Sequence, residues 1–482
     1  MSNWTIYSLG DSEFLEQILI SLVMVTGSDD FTKAATISGL LSVIFIGFSS
    51  MINKARDFDI GAIFVGWIIF TIMFVPRSTV LIEDTIDGSV RVVDNVPLGV
   101  AASGGIISQL GHGLSNIFEQ AYSHTNSHLG NGYFTESLVV LNSVRTKAFN
   151  SKVLNAIDDA TGWNMYDSYY NYMKECTAKG QVTGNTRNQA LAKNFFDLIK
   201  QDSTLFHTLI FPNRNDPNGE TVTCTQAYGM LSTKLNDAIG NGTVHKILGE
   251  TTGFKDRLLM GTTNEMGEPH SFMSNIQNSL DMLTMGGNVA QEYVKLAILE
   301  PIYMNAIQGY YMNMQDMTSA LMLNQAINQR NIQWAAEQSM FMTSVRPLMA
   351  FLEAFIYAIL PILGVMLIAG RFGFNLAGKY LMVLIWVQLW FPLLSIVNLF
   401  ITIATTREMR QFSDGINSIY ALDKSTDILQ NWIAVGGMLA GYTPVLALFV
   451  VGGSIITLNS IASKVSGAHN VNEKMTNPDI TN

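Results

Sequence analysis

Five long apolar runs, grouped in two clusters, constrain the fold of this chain more than any other feature. They are Ala34–Ile52, Ile60–Val75, the 24 residues between Arg346 and Arg371, Gly378–Ala404 and Trp432–Leu458. As a helix, 24 residues rise about 36 Å, against roughly 30 Å for the hydrocarbon core of a bilayer. The runs predict an all-α, polytopic membrane protein with five transmembrane helices, two in the first cluster and three in the second.

Composition supports a membrane protein and argues against a nucleic-acid groove. Of the 482 residues, 48% are hydrophobic and 14% are charged. The segment 77–344 between the clusters carries 24 acidic and 17 basic side chains, and the net charge of the chain is −10. Phosphate binding needs clustered Lys and Arg, so direct contact with nucleic acid is not supported.

Basic residues in the short loops predict the orientation. Lys54 and Arg56 lie between the first two runs, and Arg371 and Lys379 lie between the third and fourth. Cytoplasmic loops are enriched in Lys and Arg, which places both loops inside the cell. The N-terminus is then periplasmic and the C-terminus cytoplasmic, in the inner membrane of a double-membraned bacterium.

This orientation divides the chain into four predicted parts. They are an interfacial helix with spans one and two (1–76), a large and mainly helical periplasmic domain (77–344), spans three to five (345–458) and a short cytoplasmic tail (459–482).

Apolar periodicity predicts helices outside the spans. Residues 184–211 and 228–242 have helical spacing, and the Met-rich stretch 279–344 is expected to form one or two long helices. A short amphipathic helix over 13–26 is expected at the membrane interface. The small-residue-rich stretch 96–122 is predicted to be a re-entrant segment, an interfacial helix or a closely packed helix. We favour a helix that lies on or just above the outer, periplasmic face of the inner membrane.

The predicted location gives the two cysteines a specific meaning. Cys176 and Cys224 both fall in the periplasmic segment, where a disulfide is the expected state, with two buried thiols as the alternative. A bridge closing a loop of just under fifty residues contributes about 4 kcal/mol on the chain-entropy estimate.

Four residues within the spans are candidates for a structural or functional role. Glu353 is a carboxylate inside the third run, where a charge is costly and usually faces a partner or water. Pro361 removes a backbone hydrogen bond and is expected to kink the same helix. Gly437 and Gly441 form a GxxxG pair, a candidate for close helix packing.

The sequence lacks the common catalytic motifs. It contains no GxxxxGK[ST] phosphate loop, no GxSxG elbow and no HExxH. His124 and His128 lie four residues apart, but in a stretch typical of a loop and without an evident third ligand. We therefore expect no enzymatic activity, no cofactor and no metal.

Two stretches carry a resemblance to a known family. "RVVDNVPLGVA" (91–101), which follows two spans and "PRSTVLIED", resembles the N-terminal region of TraG, the conjugative-transfer and mating-pair-stabilisation protein of F-type type IV secretion systems. "QWAAEQSMFMTSVRPLMAFLEAFIYAILPI" (333–362) is similar to the same family's entry into its later membrane cluster. The resemblance covers essentially the whole chain in order.

The resemblance implies an inner-membrane structural subunit of the conjugation channel, needed for pilus assembly and DNA transfer. Its implied partners are other mating-pair-formation subunits, membrane lipid and further copies of the chain. The family's C-terminal extension, which acts in mating-pair stabilisation and entry exclusion, is expected to be missing, because the chain ends about two dozen residues after the last run. The rival interpretation is a solute transporter or channel. Transporters commonly show internal repeats and several polar residues within their spans. Here the two clusters show no repeat, and Glu353 is the one candidate for a functional polar residue within the predicted spans.

Overall fold

The computed structural model describes residues 3–52, 60–85, 88–122, 136–179, 194–252, 272–284, 289–312, 347–368, 371–412 and 415–452. Helices make up 78% of the structure, so the all-α prediction holds for the bulk of it.

The described helices are, in chain order, α1 (Ser12–Thr26), α2 (Asp29–Ile52), α3 (Ile60–Phe74), α4 (Leu98–Tyr122), α5 (Glu136–Lys147), α6 (Ser151–Thr161), α7 (Met165–Tyr172, continued by a π-helical turn Met173–Thr177), α8 (Phe195–Ile199), α9 (Cys224–Ile239), α10 (Gly242–Thr252), α11 (Phe272–Thr284), α12 (Ala290–Met312), α13 (Pro347–Leu367), α14 (Arg371–Gln388), α15 (Trp390–Met409) and α16 (Ile419–Gly452). The strands are β1 (Asn3–Ser8), β2 (Arg77–Asp84), β3 (Val90–Pro97), β4 (His207–Ile210) and β5 (Glu220–Thr223).

The chain forms two compact units. The first comprises Met1–Phe134, Met340–Leu399 and Gly437–Asn482; the second comprises Thr135–Ser339 and Phe400–Gly436. The four parts predicted from the sequence divide the chain by the side of the membrane on which each lies, and this division stays a prediction. By contacts, residues 77–134 group with the membrane clusters, and residues 400–436 group with the middle of the chain.

A three-stranded sheet in the first unit corrects the all-α expectation. Its strand order is β1-β2-β3, with β1 parallel and β3 antiparallel to β2. Alternate residues of β2, among them Val80 and Ile82, are fully buried on one face. Strands this short are stable only when paired, and β1 finds its partner far along the chain, which local sequence patterns do not reveal.

Helix α1 matches the helix predicted over 13–26, but its apolar side packs on the sheet. Asp11 caps its N-terminus by accepting a hydrogen bond from the Phe14 N–H at 2.9 Å. Leu15 and Leu19 are buried, and α1 contacts β2 and β3. The expected membrane-interface role of this helix stays a prediction.

Helix α4 confirms that 96–122 contains a helix, and the structure shows it closely packed. It lies against β1, α3 and α14. A Cβ added at Gly111 would approach the Gln388 Cβ to 2.6 Å, whereas a Cβ at Gly113 would meet nothing within 4 Å among the described residues. The position of α4 relative to a membrane surface stays a prediction.

These two glycines form a matched pair for mutation. Gly113→Ala should be neutral or stabilise by up to about 1 kcal/mol, because alanine favours a helix. Gly111→Ala should destabilise by about 1–3 kcal/mol, because the Gln388 side chain must move out of a packed position. Thermal unfolding of the detergent-purified chain measures both. Equal effects of the two substitutions would contradict the close approach of α4 and α14.

Three helical segments of the described residues are long and apolar enough to span a membrane: Pro347–Leu367, Gly373–Phe412 and Ile419–Gly452. The second has 40 residues and a helical length of about 60 Å, twice the roughly 30 Å of hydrocarbon. Its last part and the first part of the third segment belong to the second unit. The predicted fourth span, Gly378–Ala404, therefore runs across α14 and α15, and the described part of the predicted fifth span, Trp432–Gly452, lies within α16.

The predicted first and second spans fall on α2 and α3. The apolar part of α3, Phe64–Phe74, is shorter than a full span, and its Phe64 and Ile68 are exposed, as in a helix that faces lipid. Side chains of α2 beyond Ile44 lie outside the described residues. The five-span count stays a prediction.

The second unit is mainly helical, with one correction to the sequence analysis. Of the helix predicted over 184–211, residues 184–193 lie outside the described residues and α8 confirms a helix over Phe195–Ile199. From Lys200 onward the prediction is wrong, and β4 pairs antiparallel with β5. The two strands flank the sequence "DPNG", in which Gly219 has φ 62°; glycine adopts this left-handed conformation without strain. Cross-strand pairing overrides the apolar spacing there. Helix α9 agrees with the helix predicted over 228–242, and residues 313–346 of the Met-rich stretch lie outside the described residues.

Candidate functional site

Glu353 is buried in the first unit and accepts hydrogen bonds from the N-terminal segment. It lies on α13, six residues after Pro347, and is 2% exposed. Its Oε2 accepts a hydrogen bond from the Leu9 N–H at 2.9 Å and one from the Ser8 hydroxyl at 3.3 Å. Its Oε1 is buried without a partner among the described residues.

The sheet positions the two donors. Ser8 is the last residue of β1 and pairs with Asp84, the last residue of β2. The Thr85 N–H and hydroxyl both donate to the Ser8 carbonyl, at 3.1 and 2.8 Å. Asp84 is also buried, and its Oδ2 accepts from the Ser12 N–H at 3.1 Å, at the start of α1. The turn between β1 and α1 is therefore held by two buried carboxylates.

The electrostatics of this site are unusual. Within the described ranges, Glu353 has no Lys, Arg or His partner at ion-pair distance, and the nearby Asp84 carboxylate repels it. A buried carboxylate without a cation gains its stabilisation from hydrogen-bond donors. The arrangement can bind the end of β1 firmly to the apolar helix α13.

Helix α4 forms a second wall beside β1. Tyr357, one turn after Glu353, is buried, and a Cβ added at Gly104 would approach its ring to 2.9 Å. Tyr7 stacks on His112 with ring centroids 4.2 Å apart. Burial lowers the pKa of His112, and the negative charge of Glu83 partly offsets this shift.

The two cysteines lie in the second unit and are joined by a disulfide. Cys176 belongs to the π-helical turn after α7, and Cys224 is the first residue of α9. Their Cα atoms are 5.8 Å apart, and both residues are buried. Thr223 and Gln226 form a capping box that fixes the start of α9. The bridge therefore connects the π-helical turn at the end of α7 to the capped start of α9.

The remaining candidates from the sequence do not join the Glu353 site. Helix α13 is interrupted by a turn at Ile359, and Pro361 lies in the first turn of the helix that resumes at Leu360. Gly441 is exposed, and a Cβ there would meet nothing within 4 Å among the described residues. Gly441 therefore does not make the expected helix-packing contact with any described residue. The expectation for Gly437 stays a prediction.

Sequence patterns point to Glu353 but to none of its partners. Ser8 and Leu9 carry no motif, Asp84 only ends the stretch "PRSTVLIED", and the strand pairing that gathers the three is not a local property of the sequence. Within the described ranges there is no group of three or more His, Cys, Asp or Glu side chains suited to a metal ion. His124 and His128 lie outside the described residues.

Comparison with known proteins identifies a family. The family model described as "TraG-like protein, N-terminal region" matches residues 5–473, nearly the whole chain. Neither the curated proteins nor the solved structures give a significant match. The match includes Thr5–Ser8 of β1, the Glu353 site and the three apolar segments of spanning length. The chain therefore belongs to the family of the TraG-like protein N-terminal region.

Proposed function

We propose that this chain is a structural subunit of a conjugation machine, a type IV secretion system, in the bacterial inner membrane. In this role it acts without catalysis, through protein–protein contacts that pilus assembly and DNA transfer require. The observation that carries the proposal is the family match over residues 5–473, together with the three apolar helices of spanning length. Other subunits of the same machine are the proposed partners.

The site around Glu353 supports the proposed topology. Because β1 pairs with β2, residues 3–8 and 77–84 lie on one side of any membrane the chain crosses. An even number of crossings must separate them, which agrees with a two-span hairpin formed by α2 and α3. Glu353 adds the N-terminal end of α13 to the same side. Basic residues in the loops favour the periplasm for this side.

The contacts of the N-terminal strand support a scaffold rather than a carrier. β1 is bonded to β2 along its length, to α4 through Ser108 and to α13 through the hydrogen bond from the Ser8 hydroxyl to Glu353. Hydrogen bonds of β1 therefore connect β2 and α4, which follow the first apolar cluster, to α13, which begins the second. The family match gives no support to the solute-transporter alternative.

An in-frame deletion in a donor cell tests the function. Transfer of the conjugative element and assembly of pili should both fall to the detection limit, because a missing structural subunit leaves the channel incomplete. Mating assays and labelling of surface pilin measure the two outcomes. Expression of the chain in trans should restore both, and the ATPase that couples DNA to the channel should retain its activity. Normal transfer and normal piliation in the deletion strain would refute the proposal.

A further inference from the structure

The two edges of the three-stranded sheet differ in how their backbone groups are satisfied. At the β1 edge, the Tyr7 N–H donates to the Ser108 hydroxyl at 3.2 Å, and the Gln109 side chain donates to the Thr5 carbonyl at 3.4 Å. Side chains of α4 therefore cover that edge. The other edge is β3.

The hydrogen-bond ladder shows which groups of β3 point outward. The Asp84 N–H donates to the Ser89 carbonyl at 2.9 Å, so these two residues face each other as a hydrogen-bonded pair. In an antiparallel ladder such pairs alternate with non-bonded ones. Glu83 with Val90 and Leu81 with Val92 are therefore non-bonded pairs, and Ile82 with Arg91 between them is a hydrogen-bonded pair. The backbone N–H and C=O of Val90 and Val92 therefore point away from β2, and among the described residues they have no partner.

The side chains at this edge are apolar and exposed. Val90 and Val92 are 59% and 54% exposed. Between them, Arg91 turns to the other face and bonds Glu16 and Glu13 of α1, at 2.9 and 3.2 Å. An edge strand with free backbone groups and exposed β-branched side chains is a template for another strand.

The charges beside the valines indicate the chemistry of that strand. Asp94 is exposed on the same face, two residues after Val92. Glu83, paired with Val90, lies on this face as well. We propose that β3 binds an extended segment of a partner protein, with apolar residues opposite Val90 and Val92 and Lys or Arg flanking them.

A second copy of this chain fits the edge less well. Two exposed valines supply far less than the roughly 800 Å² per partner that stable interfaces bury, and two copies would bring the same acidic groups together. A short basic and apolar segment gains main-chain hydrogen bonds and opposite charge. The inference specifies one contact of the protein–protein role proposed above, and it rests on that role only for the partner's identity.

A designed peptide tests the inference on the full chain in lipid nanodiscs. The peptide Lys-Thr-Val-Thr-Val-Thr-Lys presents valine and lysine on one face of a strand, and the same peptide with Glu for Lys is the charge control. Binding is measured by fluorescence anisotropy, and amide protection by hydrogen exchange. The lysine peptide should bind, should protect the Val90 and Val92 amides, and should bind more tightly than the glutamate peptide.

Substitutions at the edge sharpen the test. Val92→Pro removes an outward N–H without removing a ladder bond, so it should weaken binding of the lysine peptide by about tenfold or more. Val92→Thr keeps the N–H and the branched shape and should bind like the wild type. Asp94→Asn should weaken binding about two- to fivefold, as expected for an exposed charge pair.

Three results would overturn the inference. They are a Val92→Pro variant that binds like the wild type, absence of new protection at Val90 and Val92, and amides already protected in nanodiscs without peptide. The last result would mean that lipid or the chain itself covers the edge. None of these results alters the deletion test, so failure of this inference and failure of the proposed function are distinguishable.

Discussion

Replacing both Cys176 and Cys224 by alanine should lower the free energy of unfolding of the second unit by about 4 kcal/mol, the chain-entropy estimate for a closed loop of this length. The two residues are 48 positions apart and are both buried. The bridge ties the π-helical turn after α7 to the start of α9, so its loss should release both elements. Denaturant unfolding of the purified chain, with and without reductant, measures the effect.

The control is the wild-type chain under reductant, which should match the double variant. Reduction breaks the bond but keeps both sulfur atoms, so the difference between the oxidised and the reduced wild type isolates the covalent link. Unfolding that is unaffected by the double substitution would show that packing alone holds these elements.

The same bridge reports the location of the second unit. Disulfides persist in the periplasm and are rare in the cytoplasm. Chain taken from acid-quenched donor cells should therefore react with a thiol-specific reagent only after reduction. Labelling of Cys176 and Cys224 without reductant would place this unit in a reducing compartment and contradict the proposed orientation.

Glu353→Ala should detach the turn after β1 from α13. The Leu9 N–H and the Ser8 hydroxyl would lose their acceptor, and a buried donor left without a partner costs about 1–3 kcal/mol. Hydrogen exchange at Leu9 should accelerate, and thermal stability should fall. Glu353→Gln keeps a carbonyl acceptor and should show a smaller effect on both measurements.

A matched control is available on another apolar helix. Glu408 of α15 is exposed, and Glu408→Ala should change stability by no more than about 0.5 kcal/mol. Removal of a buried carboxylate without a cationic partner also relieves a desolvation cost. The deciding result is therefore the exchange rate: an unchanged Leu9 exchange rate in Glu353→Ala would show that Glu353 is not an anchor for the N-terminal strand.

The apolar helices of spanning length could be predicted from the sequence because length and apolar composition are local properties. A helix that crosses a bilayer must satisfy its backbone internally and present about twenty apolar residues in a row. The run between Arg346 and Arg371 meets this requirement without any information about its neighbours. Helices α1 and α9 were likewise predictable from nearby capping residues and apolar spacing.

The strands were missed because their stability is not local. The stretch "RSTVLIED" of β2 was recognised as a family feature, not as a strand, and β1 carried no signal at all. Each gains stability from a partner whose distance along the chain no short window contains. The end of the predicted helix over 184–211 failed for the same reason, since β4 has apolar spacing that suits either structure.

By itself the sequence determined that the chain is an apolar, mainly helical protein with runs of spanning length, two cysteines and one carboxylate within a span. The tertiary structure alone decided that β1 pairs with β2 and that Glu353 accepts hydrogen bonds from Ser8 and Leu9. It also decided that, among the described residues, nothing pairs with the outer edge of β3. Composition and periodicity act over one or two turns of chain, whereas strand pairing and burial depend on which distant residues meet.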